Sequence, residues 1–101
     1  MGFMNFNNMD YSFFDLYVDD YEYEEVAKTL TVNCKYRGVE NTKIVFYGVV
    51  KTEYLSILPV HTIEYINIER DDGLGKNIFE IHLKRLVEKA TVWADSVEVI
   101  R

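Results

Sequence analysis

Ile44-Val45-Phe46-Tyr47-Gly48-Val49-Val50 is apolar at odd and even positions alike. In an extended chain, consecutive side chains point to opposite faces, so this run predicts a strand covered on both sides and therefore central in a sheet. Gly48 inside the run predicts a bulge or a close approach of another backbone.

Period two continues on either side. Upstream, Leu30, Val32, Cys34 and Tyr36 alternate with Thr31, Asn33, Lys35 and Arg37, the pattern of a half-buried strand. Arg37-Gly38-Val39-Glu40-Asn41 supplies turn chemistry between the two runs. Downstream, Tyr54 to Leu58 reads as a continuation, and Pro59 ends or interrupts its pairing. Ile63 to Arg70 is the next strand. Asp71-Asp72-Gly73-Leu74-Gly75-Lys76-Asn77 is then a hairpin turn with two glycines available for positive φ. Phe79, Ile81 and Leu83 face one way on the returning arm, with Glu80, His82 and Lys84 on the other. Thr91 to Ile100 reads as the last strand, with Val97 and Val99 inward. Near the N-terminus, Tyr11 to Val18 is a strand carrying Phe14, Leu16 and Val18 on one face.

The segment from Asp19 to Leu30 carries two signals. Tyr23, Val26, Ala27 and Leu30 fall at helical spacing, Glu24 can pair with Lys28, and Asp19 or Asp20 can cap. Its tyrosines and strand-like flanks point the other way. The helical spacing is the stronger of the two and predicts a short helix or helical turn, with a strand as the alternative. The sum is all-β, with α+β as the alternative. It predicts an antiparallel meander of about six strands, wrapped as a half-barrel or small sandwich, with at most one or two short helices. With 101 residues, one proline and no low-complexity linker, residues 1–101 form a single domain.

Charge is distributed unevenly. Seven of the 17 carboxylates (Asp10, Asp15, Asp19, Asp20, Glu22, Glu24 and Glu25) lie in the first 25 residues, which hold no Lys or Arg. The same stretch holds eight aromatics: Phe3, Phe6, Tyr11, Phe13, Phe14, Tyr17, Tyr21 and Tyr23. The net charge of −6 therefore originates there. It repels nucleic acid and anionic membrane and attracts basic surfaces. Neither a basic n-region nor a continuous apolar run is present, and Phe6 stands where a myristoylation motif wants Ser or Thr. The expectation is a soluble cytoplasmic protein.

The residues offer little catalytic chemistry. One cysteine, Cys34, excludes an internal disulfide and a cysteine-cluster zinc site, and its apolar strand face makes it a small buried hydrophobe. His61 and His82 lack helical metal-ligand spacing and read as surface histidines. Gly73-Leu74-Gly75-Lys76 is not a phosphate loop, because a strand follows it where a helix is needed. Trp93 reads as core. No enzyme motif, cofactor site or metal site is expected.

What remains is recognition. Tyr17, Asp19, Asp20, Tyr21, Glu22, Tyr23, Glu24 and Glu25 combine aromatic area with clustered carboxylates, the chemistry that steers and holds a basic protein partner. The cadence of Lys43 to Val49, Ile63 to Ile68, Phe79 to Leu83 and Ala94 to Val99 resembles the small β-rich immunity proteins of bacterial toxin systems. That resemblance implies a cytosolic protein that binds and blocks a cognate toxin, and it carries over no site residue. The leading expectation is a non-enzymatic acidic module that occludes a basic partner. The second is a self-assembling subunit that packs its N-terminal Phe and Tyr residues against another copy. The third is a small-ligand binder using a barrel mouth with His61, His82 and Asp95.

Overall fold

The computed structural model describes residues 9–10 and 15–100. The fold is all-β. Its strands are β1 (Met9–Asp10), β2 (Leu16–Glu24), β3 (Thr29–Tyr36), β4 (Glu40–Tyr47), β5 (Lys51–Glu53), β6 (Thr62–Asp71), β7 (Lys76–Leu83), β8 (Lys89–Ala94) and β9 (Ser96–Ile100). All pairings are antiparallel, in the order β5-β8-β7-β6-β2-β3-β4-β9, with β1 alongside β6. Two three-strand meanders, β2-β3-β4 and β6-β7-β8, are thus joined edge to edge where Leu16 and Tyr17 meet Ile63 and Thr62.

The sheet is not closed: its hydrogen-bonded path ends at β5 and β9. It curls nonetheless, because β4 leads into β5 through Gly48 and β8 leads into β9 through Asp95. At that double corner Asp95 N–H donates to Tyr47 O at 2.8 Å and Val50 N–H to Trp93 O at 2.9 Å. The curl brings Phe46 of β4 edge-on to Phe79 of β7, ring centroids 5.2 Å apart. Around them pack Leu16, Val18, Leu30, Val32, Ile44, Ile63, Ile66, Ile81, Leu83, Val92 and Val97, all essentially inaccessible. β4 is flanked by β3 and β9, and Ile44, Val45 and Phe46 are buried on both of its faces, as the apolar run requires.

Several sequence expectations change. Residues 19–30 form no helix: β2 runs to Glu24, a turn covers 25–28, and β3 begins at Thr29. Val26, which would lie on the buried side of such a helix, is 93% exposed. Tyr54 to Leu58 does not extend a strand. It holds a single 3-10 turn, Leu55–Ile57, and delivers the fully buried Leu58 to the core. The last expected strand is broken at Asp95 into β8 and β9. The hairpin at Asp71 to Lys76 is as expected, with Leu74 N–H on Asp71 Oδ1 at 3.0 Å and Gly75 at φ 67°. Of the expected strand Tyr11 to Val18, residues 11–14 lie outside the described residues, as do Phe3 and Phe6.

Candidate recognition face on the β2–β3 hairpin

A β-bulge governs where the candidate site residues point. Leu16 and Val18 face the core, and the β2–β3 register then shifts between Val18 and Asp20. The extra residue, Asp19, flips the phase of everything after it. Beyond the bulge Tyr21 opposes Val32 and Tyr23 opposes Leu30, so the tyrosines take the core side. Asp20, Glu22 and Glu24 oppose Asn33, Thr31 and Thr29 and take the outer side. Beyond the bulge the structure therefore separates Tyr21 and Tyr23 from Asp20, Glu22 and Glu24, on opposite faces.

The carboxylates are not equivalent. Asp19 forms an ion pair with Lys35 at 2.8 Å, and this hydrogen bond and charge raise the Lys35 ammonium above its ordinary pKa. Asp20 accepts a hydrogen bond from Asn33 Nδ2 at 2.6 Å. Glu22, Glu24 and Glu25 are exposed and have no ion-pair partner among the described residues. Tyr17 is half-buried and opposes Lys35, away from the hairpin tip. Tyr21 packs against the core, while Tyr23 is 44% exposed.

At the tip, Glu22, Tyr23, Glu24, Ala27, Thr29 and Thr31 line an open concavity of about 450 Å³. Thr29, Thr31 and Ala27 were not legible as site residues, because only the β2–β3 register places them beside the glutamates.

On the outer face of β6-β7-β8, His82 stacks on Tyr65 with centroids 4.3 Å apart. Burial lowers the His82 pKa. Burial pushes the neighbouring Glu80 carboxyl up, but hydrogen bonds from Asn67 at 3.1 Å and Lys89 at 3.2 Å outweigh it and leave its pKa lowered. Asn67, His82 and Lys89 all converge on the Glu80 carboxylate, the arrangement of a satisfied sheet face.

His61 and His82 line separate concavities, and Asp95 is engaged by Lys76 at 2.8 Å, so these three residues do not converge. Cys34 is buried, and desolvation, aided by the charge of Asp19, pushes its thiol up to about 12, which removes it as a nucleophile near neutral pH. Trp93 is buried, but on the outer side of β8 rather than in the central core, with Nε1–H donating to Asp71 Oδ2 at 3.1 Å.

Among the described residues no group of three His, Cys, Asp or Glu side chains is placed to hold a metal ion, and no helix is long and apolar enough to cross a membrane. No protein-family model matches the chain, and no curated protein matches it either.

Proposed function

We propose that this protein is a non-enzymatic binding module that docks on a basic protein partner through the acidic outer face of the β2–β3 hairpin, occluding it in the manner of an immunity protein. The observation that carries this reading is the unbalanced charge at the tip. Lys35 and Asn33 engage Asp19 and Asp20, whereas Glu22, Glu24 and Glu25 face solvent without an ion-pair partner among the described residues. Three carboxylates clustered at one hairpin tip repel one another and gain most when a cationic surface covers them. Val26 is exposed in the adjoining turn, and the partly exposed Tyr23 lines the same tip concavity as Glu22 and Glu24 from the inner face, so apolar area lies close to the charge that would steer an encounter.

The test is affinity capture from lysate of the source organism, at low and moderate salt, with the native protein and with the E22Q/E24Q/E25Q variant. The reading expects a stoichiometric basic partner on the native protein at low salt. That partner is depleted at moderate salt and on the variant. A partner retained equally by the variant would contradict it.

A further inference from the structure

The outer half of β2 is a strand edge with unused hydrogen-bonding groups, and the pattern of pairing identifies them. Val18 N–H donates to His61 O and Val60 N–H donates to Val18 O, both at 2.9 Å, so the peptide groups of Val18 turn toward β6. Val18 opposes Cys34, which therefore turns its own N–H and C=O toward β4. The β3–β4 register is unbroken from Thr29 to Tyr36, so Val32 and Leu30 turn toward β4 as well. Tyr21 and Tyr23, which oppose them, consequently turn their N–H and C=O groups away from β3. β6 begins only at Thr62, alongside Tyr17, and does not reach this half of the strand. Among the described residues nothing hydrogen-bonds to the outward edge of Tyr21 or Tyr23.

We infer that an extended, basic segment of the partner adds to this edge as a further strand. It would bond to the N–H and C=O groups of Tyr21 and Tyr23, with Lys or Arg at alternate positions beside Asp20, Glu22 and Glu24. The inference rests on the docking function proposed above and specifies how docking occurs. Period two is imposed from both sides. Asp20, Glu22 and Glu24 sit two residues apart on the outer face, so cations on an added strand match them only at alternate positions. The intervening positions fall beside Tyr21 and Tyr23 on the inner face and suit apolar side chains. The occupant is therefore an alternating basic–apolar strand.

A second copy of the chain does not fit this edge. Pairing two β2 edges sets Asp20, Glu22 and Glu24 of each copy against those of the other, and like charges across a strand pair repel. Acidic side chains on a free edge also serve to guard it against such self-pairing. If guarding is their whole role, no basic strand binds.

The test uses the full chain and two synthetic peptides of identical composition, one alternating lysine with valine and one with its lysines contiguous. The inference expects the alternating peptide to bind about tenfold more tightly, the worth of two or three net backbone hydrogen bonds. N-methylation of the residues whose N–H groups face β2 abolishes that advantage, whereas N-methylation of the intervening residues does not. In amide exchange, Tyr21 and Tyr23 gain protection when the alternating peptide is bound. Equal, salt-sensitive binding of both peptides would overturn strand addition while leaving acidic docking standing. Binding of neither would overturn strand addition and leave the carboxylates as edge guards.

Discussion

Replacing Gly48 by Ala is expected to destabilise the protein by about 2–3 kcal/mol. Gly48 sits at φ 68°, in the left-handed region, where an L-residue costs roughly 1–2 kcal/mol. A Cβ there would also fall inside the Asp95 carboxylate, with Asp95 Cγ only 2.7 Å away. Asp95 must then swing out and give up its 2.8 Å pair with Lys76. That pair is partly solvated, the Asp95 side chain being 57% exposed, so its loss adds at most about 1 kcal/mol. Since the chain has a single tryptophan, buried Trp93, urea unfolding followed by its fluorescence measures the sum. For a domain of this size the melting temperature falls by roughly 10–20 °C. In an Asp95→Ala background the same change should cost only the backbone strain of about 1–2 kcal/mol. A Gly48→Ala variant within about 0.5 kcal/mol of the parent would refute the account of this corner. An equal cost in both backgrounds would refute the part assigned to Asp95.

Val60→Gly should raise stability by about 0.5–1 kcal/mol. Val60 is a β-branched residue at φ 60°, 68% exposed, in the hydrogen-bonded turn from Leu58 to His61, and relief of its strain outweighs the added freedom of glycine in the unfolded chain. The midpoint of urea unfolding reads this directly. Cys34 should resist alkylation in the folded protein and react at once in denaturant, because burial holds its thiol at about 12; mass spectrometry after a timed iodoacetamide pulse distinguishes the two. Acidification should destabilise the fold in two steps. His82 has a lowered pKa, so the unfolded chain binds its proton first and stability falls as pH drops below about 6.5. Glu80, also lowered, contributes stability above its unfolded pKa that is lost as pH falls through its folded pKa. Urea midpoints across this range should flatten near pH 6 for His82→Gln and below about pH 5 for Glu80→Gln.

The sheet was legible wherever period two ran unbroken. Leu30 to Tyr36 and Phe79 to Leu83 alternate cleanly because the extra residue of each adjoining bulge lies on the partner strand, Asp19 in β2 and Glu64 in β6. The hairpin at Asp71 was legible from its turn residues. The β2–β3 tip was not, for a geometric reason. Tyr23 and Leu30 oppose each other across a hairpin closed by a short turn, so core-facing strand residues fall at i and i+7 and imitate a helix. The Asp19 bulge was equally hidden, since no composition signal marks the residue at which alternation changes phase. The segment was therefore expected to present tyrosines and carboxylates together, whereas the strand alternates them and the bulge gives Tyr21 and Tyr23 the core side and Asp20, Glu22 and Glu24 the outer side. Neutralisation of Asp19 by Lys35 depends on a pairing between residues 16 apart in the chain, which only the fold reveals.

The most direct test of acidic docking is the association rate of the captured partner as a function of ionic strength. It should be measured for the native protein, E22Q/E24Q/E25Q, and the charge-balanced D19N/K35Q control. The account predicts a rate that falls steeply with salt for the native protein and the control, and a slow, nearly salt-independent rate for the triple variant. An identical rate and salt slope for all three would contradict it and remove the hairpin tip from the interface.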